Sequence, residues 1–286
     1  MVAPLFLAVA SSSRRAVVIG GATQLFRPPS VTAADAYSEL QSRISAPVVV
    51  QQGFAAGPGR TLPALPGWLA GEWRCEQTLQ AYSTPLGIQY IGAAGRPLSE
   101  ATASAQQTKA QIGKPVILEL RYSAVAGGGA VEERPFNAKS RLDAFAGRPV
   151  VRAANSCGAA GVDSIGLSCT FVEFRGPISQ KQIVSSALVA TPTSGAAGGT
   201  FVSSDCTRAI LARRKMAGDT RDFPPITTDS EVLVSLTPNG DASPDAASGR
   251  LRLVEYLNPN DPLYFAAGRK SVSISDYSLS LRRMQG

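Results

Sequence analysis

Histidine is absent from all 286 residues. It is the usual general base near neutral pH and the commonest transition-metal ligand. Its absence excludes Ser-His-Asp and Cys-His catalysis, His-ligated haem and any zinc site with a histidine ligand. An enzyme reading keeps only carboxylate, lysine, tyrosine or thiolate chemistry, and no cofactor or metal is expected. Charge is sparse as well: 28 basic and 21 acidic residues make 17% of the chain, for a net +7. The basic residues are scattered and never form a run of four, so nucleic acid is not an expected partner. No apolar run approaches the ~20 residues a helix needs to cross a bilayer, so no transmembrane helix is expected in the mature chain. The four cysteines include no C-x-x-C pair, which removes the common metal-knuckle and thioredoxin-like motifs.

What is present points first to export. Arg14-Arg15 precede a weakly apolar stretch from Ala16 to Phe26, and small residues then lead to Ala34-Asp35-Ala36. A twin-arginine pair, a short apolar region and an Ala-x-Ala site read as a cleavable targeting segment over 1–36. The acid-free, serine-bearing start "MVAPLFLAVASSS" has the character of a short transit peptide. The expected location is the thylakoid lumen of a chloroplast; a bacterial periplasm or a disordered N-terminus is the alternative. An even cysteine count in an oxidising compartment suggests disulfides. Cys157 and Cys169 flank a Gly-rich loop that a bridge would close, and Cys75 and Cys206 would then pair. Four cysteines allow three connectivities, and four buried thiols are the remaining alternative.

After the leader, residues 37–46 read as a short helix, and a Pro/Gly-rich linker extends to residue 61. From Glu72 the pattern alternates: Trp73, Cys75, Gln77 and Leu79 share one side, and Glu72, Arg74, Glu76 and Thr78 the other. Val116, Leu118, Leu120 and Tyr122 repeat that period of two. Further strand candidates are 150–154, 168–175, 181–190, 230–237, 249–257 and 270–283. "SSDCTRAILARRK" reads as a helix capped by Asp205, and "NAKSRLDAFAG" as another. The fold class is therefore all-β: an antiparallel barrel of about 8–10 strands with two or three short helices, occupying 62–286 as a single domain. In the last strand Val272 and Ile274 have one parity, and Tyr277, Leu279 and Leu281 the other. A bulge near Ser275-Asp276 would reconcile them on one face.

Both tryptophans, Trp68 and Trp73, sit where the body begins. Gly71-Glu72-Trp73 suits a glycine that admits the chain at a barrel floor and a tryptophan that plugs it. The final strand ends in Arg282-Arg283, which brings the Arg283 guanidinium within reach of the Trp73 ring. This arrangement resembles the lipocalin and calycin group. A closer likeness rests on "LPGWLAGEW" leading to "TPLG", on "FVSSDCTRAI", and on "VEYLNPNDPLYFAAGRKSVSISDYSLSLRR". Over 62–286 these segments are similar to a cyanobacterial and plastid family designated a domain of unknown function. Alanine-rich stretches near 99–110 and 191–200 depart from the family pattern and read as loops. The resemblance implies a thylakoid-associated, lipocalin-like fold and carries no catalytic residues.

Candidate ligand or partner residues are Tyr122 and the "YLNPNDPLYF" block, with Tyr256, Asp261, Tyr264 and Phe265. The block reads as a rim loop or, on its turn chemistry alone, as a reverse turn or a single helical turn. Glu132, Glu133 and Arg134 read as a surface strand, because the two acids alternate in facing. The expected function is a lumenal protein binding a small hydrophobic ligand: a pigment, a quinone or a lipid. Alternatives are an assembly factor docking a photosynthetic membrane complex through the barrel rim, and a His-free enzyme on the same scaffold.

Overall fold

The computed structural model describes residues 33–52, 65–92, 97–157, 168–176, 178–190, 199–213, 225–240 and 245–284. Most of the targeting segment, most of the linker and the tip of the Cys157–Cys169 loop lie outside them. The first elements are α1 (Ala33–Ser45), β1 (Leu65–Pro66), β2 (Gly71–Ser83), α2 (Leu98–Lys109), β3 (Pro115–Val125), β4 (Gly129–Glu132) and α3 (Arg134–Phe145). The remainder are β5 (Val151–Ser156), β6 (Ser168–Phe174), β7 (Ile178–Ala190), β8 (Phe201–Arg213), β9 (Ile226–Pro238), β10 (Ala246–Tyr256), α4 (Tyr264–Ala267) and β11 (Ser273–Arg283).

The strands form one antiparallel sheet in the order β1-β4-β3-β2-β11-β10-β9-β8-β7-β6-β5, curled into a nearly closed barrel. The all-β expectation holds, and the last strand lies beside the first long one, from Ile274 opposite Ser83 to Arg283 opposite Trp73. That pairing does not complete the ring. The sheet ends in the two-residue β1 on one side and β5 on the other, and β4 pairs only the Tyr122–Val125 part of β3, so α3 bridges the rest of β3 to β5 with side chains. Asn137 accepts from the Arg121 amide (2.7 Å) and donates to its carbonyl (3.2 Å), and Ser140 accepts from the Glu119 amide. Asp143 accepts from the amides of Val150 (2.7 Å) and Val151 (2.8 Å) at the other edge. Helical side chains thus satisfy backbone groups that would otherwise be unpaired on exposed edges.

The sheet buries its inner face and, where α1 lies, part of its outer face as well. Inside lie Leu69, Trp73, Cys75, Leu118, Leu120, Leu279 and Leu281. Outside, α1 packs Leu40 and Ile44, with Val49, onto Val202, Leu233, Val254, Tyr256 and Ile274. This corrects the reading of the last strand. β11 pairs with β10 without interruption, so both parities are buried because both faces are, with Ile274 outward under α1. The register does shift between Asp276 and Tyr277, but against β2, where Gln80 is the extra residue.

Three further expectations change. The segment read as a helix capped by Asp205 is β8, held between β7 and β9. Two neighbouring strands satisfy its backbone and override a modest helical preference. The alanine-rich stretch near 99–110 is the helix α2, as alanine's propensity favours, with Ala101 and Ala105 buried one turn apart. The helix expected at 37–46 begins at Ala33, so the proposed cleavage site falls in its first turn. It belongs to the same compact unit as the barrel.

Candidate functional site

The floor is assembled as the Gly-x-Trp pattern suggests. Trp73 is fully buried and donates its indole N–H to the Leu69 carbonyl (2.7 Å). Arg283 lies 4.4 Å from the centre of its ring, a stack worth about 0.5–2 kcal/mol. The same guanidinium donates to the Ala70 and Trp68 carbonyls and to Asp245 Oδ1. Gly71 has φ +118°, and a Cβ there would sit 2.5 Å from the Arg283 guanidinium. Glycine is therefore required twice over, for conformation and for room. Trp68 packs edge-on against Trp73 and at a tilt against Phe201. Gly71, Trp73 and Arg283 thus come together as one plug.

Among the described residues, a cavity of about 480 Å³ lies within the barrel, inside the range typical of small-molecule sites. Phe201, Val232, Val234, Leu236, Leu251 and Leu253 form its apolar wall, and α3 adds Leu142 and Phe145. Its polar wall holds Gln77, Tyr122, Glu132, Arg134, Arg141, Thr170 and Asp205. The charged members are tied to one another. Glu132 Oε1 accepts from Arg141 (2.9 Å) and from Asn137 (3.0 Å), and its other oxygen lies 3.9 Å from Arg134. Arg134 also donates to Asp205 Oδ2 (2.9 Å).

This network sets the protonation states. Burial alone would raise the Glu132 carboxyl, but the Arg141 and Arg134 guanidinia outweigh it and hold it at about 2. Burial pushes the Asp205 carboxyl up, with Arg134 pulling against it. Tyr122 is buried beside Glu132, and both effects push its phenol above the ordinary value. Burial also raises the Cys75 thiol to about 11 and the Cys206 thiol to about 12.

Of the candidates named from sequence, Tyr122 alone lines the cavity. Tyr256 lies on the opposite face of the sheet, where its hydroxyl donates to Glu231 (2.7 Å) beneath α1. Asp261, Tyr264 and Phe265 belong to the β10–β11 connection and do not line the cavity. Their block is the single helical turn its chemistry allows: Asp261 Oδ1 accepts from the Leu263 amide (2.8 Å), Asn258 Oδ1 from the Asn260 amide (2.8 Å), and α4 ends at Gly268 in the left-handed region. Phe265 is 87% exposed. The Cys157–Cys169 disulfide is formed. The second bridge is not: Cys75 and Cys206 are free, since Cys75 faces the interior and Cys206 the outer face.

Glu132 with Arg134, read as surface strand, is instead part of the cavity wall. The chain leaves β4 after Glu132 and turns at once into α3, whose inward face carries Arg134 and Arg141. Asp205 points inward from β8 with the parity of Phe201 and Ser203. The available signal was Gln77: a polar residue on the inward side of a strand whose other inward residues are Trp73, Cys75 and Leu79. Comparison with family models, with curated proteins and with solved structures finds no match to this chain.

Proposed function

We propose that this chain is a non-enzymatic binding protein whose barrel holds one small, mainly hydrophobic molecule, such as a pigment, a quinone or a lipid, in the lumen of a thylakoid. The observation that carries the reading is the cavity of about 480 Å³, with one wall of aliphatic and aromatic side chains and a confined polar wall. Such a division suits an apolar body with a polar end. Glu132 on that wall is a poor candidate for acid–base chemistry near neutral pH, because two guanidinia hold it at about 2.

The test is mass spectrometry of an organic extract from protein purified from its native source. One apolar compound in stoichiometric amount is expected. An empty extract from intact protein contradicts the reading.

The exposed Phe265 (87%), next to Leu263 (40%), favours a second reading: an accessory factor that docks a photosynthetic membrane complex through this turn. Co-migration with such a complex, lost in Phe265→Ser, would support it.

A further inference from the structure

The hydrogen-bonding groups on the cavity wall fall into two sets. The charged set is paired with itself, Glu132 with Arg141 and Arg134, and Arg134 with Asp205 Oδ2, which leaves Asp205 Oδ1 as its one open carboxyl oxygen among the described residues. Three of the neutral groups are not engaged. Gln77 is 5% exposed and Thr170 is 4% exposed. Neither side chain has a hydrogen-bond partner among the described residues, and the Tyr122 hydroxyl also lacks one. All three line the cavity.

Burying a polar group without a partner costs about 1–3 kcal/mol. A glutamine amide offers two donors and one acceptor, and a hydroxyl offers one donor and two acceptor sites. This unspent capacity is uncharged apart from Asp205 Oδ1, whose carboxyl burial pushes towards the neutral form. A carboxylate entering the cavity would find both guanidinia already neutralised and would lie near two further carboxylates. An ammonium would meet two guanidinia. Either would be desolvated without a free counter-charge, which is costly. Gln77 on β2 and Thr170 on β6 are separated in the sheet order by β7 to β11, so the neutral groups stand on different walls.

The geometry points to an uncharged, mainly apolar ligand bearing hydroxyl or carbonyl oxygens, which Gln77, Thr170 and Tyr122 receive in preference to a carboxylic acid or an amine. This rests on the binding reading above and narrows the ligand class for the same cavity.

The test uses the full chain at about pH 8, where carboxylic acids and alkylamines are both charged. 1-Decanol, 2-decanone, decanoate and decylamine compete with the neutral fluorophore N-phenyl-1-naphthylamine. The alcohol and ketone are expected to displace it at concentrations about tenfold lower than the two ions. Gln77→Leu and the near-isosteric Thr170→Val should each retain the fluorophore and reduce that preference by about two- to tenfold. Decanoate or decylamine competing as well as decanol would overturn this inference and leave the binding reading standing. A preference unchanged in both variants would overturn the roles given to Gln77 and Thr170. Failure of the fluorophore and all four compounds to bind would overturn the binding reading and this inference together.

Discussion

Glu231 and Glu132 are buried carboxylates on opposite faces of the same sheet, and their surroundings differ in one respect that matters for function. Glu231 is fully buried and accepts from Arg43, from the Ser204 hydroxyl (2.7 Å) and from the Tyr256 hydroxyl (2.7 Å). Around it α1 is packed against the barrel, and Arg252 ties the end of that helix down by donating to the Arg43 and Ala46 carbonyls. Glu132 is also ion-paired, but beside it lie open volume and the unpartnered Gln77, Thr170 and Tyr122. A buried ion pair is thus not in itself a site. Unspent hydrogen-bonding capacity next to space distinguishes the inner face from the outer one.

The comparison is broken or sharpened by substitution. Glu231→Ala should have the largest effect on stability, about 3–5 kcal/mol in urea unfolding, because Arg43 is left charged and nearly buried. Binding of a neutral fluorophore to the folded fraction should not change. Asn137→Ala should follow, at about 1–3 kcal/mol, with faster hydrogen exchange at the Arg121 amide as α3 loosens from the β3 edge. If Asn137→Ala proves as costly as Glu231→Ala, the bridge across the sheet edges carries more of the fold than the outer network does.

Glu132 should show itself through acid. Its carboxyl is held at about 2 in the fold against an ordinary 4.5, so the ionised form stabilises the fold above 4.5. That contribution is lost as pH falls from 4.5 towards 2. In Glu132→Gln the stability deficit relative to the parent protein should shrink across that window, as read from urea midpoints at successive pH values. A deficit constant with pH would mean the ion pairs do not hold the carboxyl down. Gln77→Leu should have the smallest effect, within about 1 kcal/mol and of either sign, because no hydrogen bond is removed and apolar surface is gained.

Much of the scaffold was legible from period and parity alone. The alternation from Trp73 to Leu79 and from Val116 to Tyr122 placed β2 and β3 with the correct faces inward. The parity break in β11 marked the point where the register shifts. Its cause was not legible: nothing local to residues 270–283 says that α1 covers the outer face and makes Ile274 a buried position. Asp205 failed for a related reason. The segment from Ser203 to Lys215 carries acceptable helix chemistry, and only pairing with the preceding and following strands, β7 and β9, makes its described part a strand. The candidate site was the least legible part. Glu132, Arg141 and Asp205 meet only because β4 turns directly into α3 and that helix spans the gap between sheet edges. The tyrosines of the β10–β11 turn drew attention by composition, yet their roles are to complete a turn and a packed outer face.

The central claim is that the volume inside the barrel is the binding site, and filling it is the most direct test. Val234 lines the cavity from the middle of β9. Titration of N-phenyl-1-naphthylamine into the full chain and into Val234→Phe, with the urea midpoint of each recorded, compares the two. The account predicts one fluorophore per parent chain and affinity at least about tenfold weaker in the variant, at a stability cost of no more than about 1–3 kcal/mol. Equal affinity in a folded Val234→Phe protein would contradict it and place any binding outside the barrel.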